Sequence, residues 1–199
     1  MTAQTIARLY ESYDQALEVV HDLVAAQVPQ NDISFVAGGA HNGHLPAESE
    51  TGNESGPGAE IGAGVGALAG GGVGVLAGLG MLAIPGVGPV VAAGWLVALA
   101  LGAAGGAVAG GLLGGLVGAG ISREHAEVLT EGVRRGGTLV TVLAPEDRVA
   151  LVEAIMDHRA VDPAALRTRY ASEGWTGYDF NGPDLTPTEQ ERERALLRR

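Results

Sequence analysis

The sequence predicts an α+β fold: a ferredoxin-like split β-α-β domain with an apolar helical hairpin inserted at its middle. Three observations predict it. Residues 1–40 alternate and then switch period in the order strand, helix, strand. Residues 122–163 repeat this as helix, strand, helix, strand. Between them, residues 61–121 contain no charged side chain, and the indole of Trp95 is their one hydrogen-bonding side chain.

Thr5 to Tyr10 is a short β-type run. Ser12 and Gln15 have the spacing of a capping box, which opens a helix to about Gln27. Its apolar face is Ala16, Leu17, Val20, Leu23 and Val24, positions three and four apart. Val28-Pro29-Gln30-Asn31 reads as a turn, and Asp32 to Ala37 as a second strand. Residues 41–60, rich in Gly, Ser, Asn and Glu, read as a flexible acidic linker.

Residues 61–121 hold two ladders of glycine at a spacing of four. The first is Gly62, Gly66, Gly70, Gly74 and Gly78; the second is Gly102, Gly106, Gly110, Gly114 and Gly118. A spacing of four stacks the rungs on one helix face and lets another backbone approach closely. Ile84-Pro85-Gly86-Val87-Gly88-Pro89 between the ladders is a turn signal. The expectation is an antiparallel glycine-zipper hairpin, with helices over 61–83 and 90–121.

Ser122 is placed as the N-cap of a helix from Arg123 to Arg135, which Gly136-Gly137 closes. Thr138 to Ala144 is the clearest strand. Pro145 suits the first position of a helix from Glu146 to Arg159. Ala160-Val161-Asp162 is expected as a last edge strand, limited by Pro163. Residues 164–199 read as a polar tail with the aromatics Trp175, Tyr178 and Phe180 and a charged run, Glu189 to Arg194, suited to an exposed helix.

The net charge of the 199 residues is −11. Residues 1–60 carry nine acids against one Arg, and residues 123–199 fourteen acids against eleven Arg. Such a surface repels nucleic acid and anionic headgroups at long range, so no nucleic-acid partner is expected. Without cysteine there is no disulfide or thiolate chemistry. Met1 to Thr5 lacks the basic-then-apolar pattern of a signal peptide, so the soluble parts are expected in the cytoplasm.

The strand at Thr5, the helix opening near Ser12 to Ala16 and the Asp32-Ile33-Ser34-Phe35-Val36 strand together resemble the general stress protein 17M-like domain of bacteria. Gly132-Val133-Arg134-Arg135-Gly136-Gly137-Thr138-Leu139-Val140-Thr141-Val142 and Gly174-Trp175-Thr176-Gly177-Tyr178-Asp179 fit the same pattern. The resemblance implies a stress-linked role without an enzymatic site, and it supplies no ligand.

Candidate chemistry is sparse. His41 and His44 with Glu48 and Glu50 have metal-ligand character, but their flanking glycines do not fix a geometry, and a solvated linker explains them. Arg134-Arg135 invites an anion, yet basic residues at a helix C-terminus before a glycine cap are expected from the helix dipole alone. Gly62-Ala63-Gly64-Val65-Gly66 lacks the strand context and the Lys-Ser/Thr of a phosphate loop. The aromatic group suits pinning the tail more than binding a ligand. The sequence therefore predicts no catalytic, cofactor-binding or metal site.

The apolar hairpin requires burial, because each interior glycine costs a helix about 1 kcal/mol. A bilayer supplies it if each arm spans the roughly 20 residues needed. Against lipid stand the missing aromatic belt and the missing positive flank near residue 60. The alternative is a soluble homo-oligomeric assembly or shell in which hairpins bury one another. The expected function is a non-enzymatic, stress-related protein at the cytoplasmic membrane. It would associate with itself and with the bilayer through the two glycine ladders.

Overall fold

The structure, a computed structural model, describes residues 3–38, 80–84, 88–96, 111–182 and 185–197. Mixed helix and antiparallel sheet make it an α+β protein. Strand β1 (Ala3–Tyr10) leads into helix α1 (Tyr13–Ala25) and then strand β2 (Ile33–Gly38). Ser12 caps α1: its hydroxyl accepts the amide of Gln15 at 3.3 Å. Only half of the expected capping box forms, because Gln15 Oε1 is buried with no partner among the described residues. A turn of 3-10 helix, Gln30–Asp32, delivers the chain to β2.

The insertion departs from the expected helical hairpin. Gly80–Ile84 is strand β3 and Gly88–Ala93 is strand β4, paired antiparallel with Gly80 opposite Ala92 and Ile84 opposite Gly88. The C-terminal end of the first expected helix and the start of the second are therefore β-structure. Two causes are local. The four-residue glycine spacing lapses here, and Pro85 and Pro89 oppose a helix while Val87, Val90 and Val91 favour a strand. The third cause is tertiary: β2 presents an edge, and β4 pairs with it, Phe35 opposite Ala93 and Gly38 opposite Val90. Pro89 stands near the start of its strand, where a missing amide is tolerated.

Helix α2 (Gly111–Gly118) falls within the second expected helix. Gly120, at φ 91°, ends it, with the amide of Ile121 returning to the carbonyl of Leu116 at 3.0 Å. Helix α3 (Arg123–Arg134), strand β5 (Thr138–Pro145), helix α4 (Val149–Asp157), helix α5 (Pro163–Ser172) and helix α6 (Pro187–Leu197) follow. The expected closure at Gly136-Gly137 is present: Gly136 takes φ 95°, and the amide of Gly137 returns to the carbonyl of Gly132 at 2.9 Å.

Among the described residues the sheet has the order β1-β5-β2-β4-β3. Both β1 and β2 run antiparallel to β5, so they are parallel to each other across it. Helices cover both faces. On one, Ile6, Tyr10, Phe35 and Val140 pack against Ala16, Val20 and Leu23 of α1 and Val152 and Met156 of α4. On the other, Ala7, Leu9, Val36 and Leu139 meet Leu112 and Leu116 of α2, Ala126, Leu129 and Val133 of α3, and Leu166 and Tyr170 of α5. Alternate side chains of β1, β2 and β5 thus serve opposite cores.

Two C-terminal expectations are corrected. Residues 160–162 do not form a strand; the amide of Val161 makes one bond to the edge of β1, at the carbonyl of Leu9, 2.8 Å away. Pro163 does not end a strand but begins α5. Asp162 is its N-cap, accepting the amide of Ala164 at 2.9 Å. The region read as a polar tail therefore contains α5 as well as α6.

Candidate functional site

The residues expected to carry function divide sharply. Gly62, Gly66, Gly70, Gly74, Gly78, Gly102, Gly106 and Gly110 lie outside the described residues, as do His41, His44, Glu48 and Glu50. Gly114 and Gly118 lie on α2. Gly111, Leu112, Gly115 and Leu116 form the buried side of that helix, whereas Gly114 is half-buried and Gly118 exposed. A Cβ at Gly118 would meet nothing within 4 Å, and Val117 beside it is 40% exposed.

Trp95, expected inside the second hairpin helix, is helical with Leu96 and is tied to the α+β body. Gly94 at φ 101° turns the chain over the start of β2. There the indole N–H of Trp95 donates to the carbonyl of Asp32 at 3.0 Å, and the amide of Leu96 donates to the Ser34 hydroxyl at 3.2 Å. Leu96 is fully buried. Among the described residues no helix is long and apolar enough to cross a membrane, and no group of acids and histidines is placed to hold a metal.

Among the described residues the densest polar cluster lies at the C-terminal end of α3. Glu131 is completely buried there. Its carboxylate accepts Arg134 Nε at 2.8 Å and Nη2 at 2.6 Å, and Arg135 Nε at 2.7 Å. Arg135 Nη1 donates onward to Glu173 at 2.5 Å and to Glu193 of α6 at 2.9 Å. The guanidiniums of Arg135 and Arg169 stand 4.1 and 5.1 Å from the ring centre of Tyr170. Trp175 meets the same ring edge-on at 5.8 Å. The turn that brings it there ends α5 at Gly174, and the amide of Trp175 returns to the carbonyl of Tyr170 at 2.9 Å. Trp175 and Tyr178 thus pack on the core, whereas Phe180 is 45% exposed.

Electrostatics make this cluster a structural knot. Hydrogen bonding to Glu131 raises Arg134 above the ordinary guanidinium range. At Arg135 burial opposes the charge, but the hydrogen bonds to Glu131, Glu173 and Glu193 outweigh it and the net shift is upward. Burial raises Tyr170, with Arg135 and Arg169 pulling the other way. Arg135 is thus engaged by three carboxylates, and the anion-binding alternative for Arg134-Arg135 has internal acids in the ligand's place. The Glu131 pairings were legible from spacing, three and four residues before the arginines. Glu173 and Glu193 gave no such signal, because they arrive from distant segments.

A second feature escaped sequence reading. An open hollow of about 510 Å3 is lined by Ala3, Gln4 and Thr5 of β1, by Ala119 to Ser122, and by His125. Ser122 caps α3 by accepting the amide of His125 at 3.4 Å. The imidazole Nε2 is buried with no hydrogen-bond partner among the described residues. Burial lowers the His125 pKa, and the charge of Arg8 lowers it further.

No protein-family model, no curated protein and no solved structure matches this chain.

Proposed function

We propose that this is a non-enzymatic, stress-related protein that associates with itself through its uncharged glycine-rich segment, carried on a ferredoxin-like body. One observation carries the reading. On α2 the side bearing Gly114, Val117 and Gly118 is the side that the described body leaves uncovered, with Gly118 open and Val117 exposed. Apolar surface without bulk suits close approach of another backbone. A second copy of the chain is the partner this reading names.

The ferredoxin-like plan is supported by β5 lying between the parallel strands β1 and β2, and by Val161 bonding to the outer edge of β1 where a fourth strand would run. The body adds to that plan on both sides: α2, α3 and α5 cover the second sheet face, and β4 and β3 extend the edge beyond β2.

Attachment to the cytoplasmic membrane is the second reading. The uncharged run from residue 61 to 121 favours it. Against it, β3, β4 and Trp95 tie the middle of that run to the sheet. Sizing with and without detergent, combined with flotation on liposomes, separates the two. A detergent-independent oligomer that stays at the bottom of the gradient supports self-association. Protein that floats moves the function to the membrane. A monomer that does not float overturns both.

A further inference from the structure

Helix α6 docks almost entirely through polar groups. Among its residues with described side chains only Gln190 is buried, at 3% exposure, while Leu196 is 41% exposed. Gln190 Nε2 donates to the carbonyl of Arg134 at 3.3 Å. Glu193 accepts Arg135 Nη1 at 2.9 Å and lies 3.9 Å from Arg169 Nη2. Gly136, at φ 95°, leaves room for the helix: a Cβ there would stand 3.2 Å from Arg194 Nε.

The charge count under the helix depends on Glu193. Arg134, Arg135 and Arg169 face Glu131 and Glu173 below it; α6 adds the Glu193 carboxylate to this cationic excess, while Arg194 of the same helix lies over Gly136. Elsewhere in the body helices are seated by leucine, valine and aromatic burial, which salt does not weaken. Among its described side chains the seat of α6 has no comparable apolar part. Its ion pairs involve side chains with partial access to water, Glu193 at 22%, Arg169 at 25% and Arg135 at 11%, and salt weakens such pairs, the more buried Arg135 pair least.

We infer that α6 is a releasable strap, held down by Glu193 in the Arg135–Arg169 seat above Tyr170 and lifted by ionic strength while the body stays folded. The strap closes over the two arginines and the aromatic face, so its release uncovers a cationic, aromatic surface on an otherwise acidic protein.

Amide hydrogen exchange of the full chain tests this. Exchange in residues 190–197 should accelerate about three- to tenfold between roughly 0.05 M and 0.5 M salt, while β5 amides hold their rates. Glu193→Gln should exchange at the fast rate already at low salt. Glu191→Gln removes the same charge from an exposed position of the same helix and should behave as the wild-type chain. Salt-independent exchange in α6 overturns the strap, and so does equal acceleration by the two substitutions. Loss of β5 protection alongside α6 would make the helix part of the global fold, which also overturns it.

Discussion

The guanidinium of Arg135 lies 4.1 Å from the ring centre of Tyr170. This contact joins the end of α3 to α5, and the same guanidinium reaches Glu193 on α6. Arg135 is thereby the common point of three helices that are far apart in sequence. Its charge survives burial because carboxylates surround it, and the completely buried one, Glu131, bears the largest consequence if removed.

Glu131→Gln should therefore destabilise the protein by about 2–3 kcal/mol, because it replaces the carboxylate shared by two guanidiniums with a neutral amide that keeps one acceptor oxygen and turns an NH2 toward them. The urea midpoint should fall with an unchanged slope. A loss below about 0.5 kcal/mol would place the cluster in the class of exposed pairs that contribute little.

His125 should make stability depend on pH. Its folded pKa is lowered from 6.5, so the unfolded chain takes up the proton more readily than the folded one. This stabilisation is complete above the unfolded pKa and is lost as pH falls through the folded pKa. Unfolding between about pH 7 and pH 5 should show the wild-type chain losing stability and His125→Gln losing less. Identical pH profiles would refute the assignment.

Gln27 ends α1 at φ 61°, where its amide returns to Val24 at 2.9 Å and the amide of Val28 returns to Leu23 at 3.0 Å. This left-handed position costs a side chain that glycine lacks. Gln27→Gly should raise stability by roughly 0.5–1 kcal/mol in thermal or urea unfolding. The bonds from Arg148 to the Ala26 and Gln27 carbonyls, at 2.6 and 2.9 Å, use backbone acceptors and should persist. A destabilised variant would show that the Gln27 side chain contributes more than its backbone strain removes.

Gly118 separates the fold of the monomer from its assembly. A Cβ there meets nothing within 4 Å, so Gly118→Leu should leave the unfolding midpoint of the body within about 1 kcal/mol of wild type. If the outer side of α2 is a contact face, the same substitution should shift sedimentation toward smaller species. An unchanged oligomer with an unchanged midpoint would remove Gly118 from the interface.

Residues 3–38 and 111–145 were largely legible because their signals are local. Ser12 and Ser122 cap the helices they precede, Gly136-Gly137 terminates α3, and the β-branched run at Thr138 forms a strand, each fixed by side chains within a few positions. The same local logic was available at Asp162-Pro163, where a cap and a first-turn proline open α5. What the tertiary structure decided are the outcomes that need a distant partner. Residues 80–84 and 88–93 became strands because β2 has an edge to pair with, a fact no glycine spacing records. Trp95 joined the body because Asp32 offers it a carbonyl. Glu173 and Glu193 reach Arg135, beside its own-helix partner Glu131, only after three helices pack. Periodicity reports which face of an element is apolar, but the choice between helix and strand for an uncharged segment, and the partner of a buried charge, follow from what the rest of the chain brings alongside.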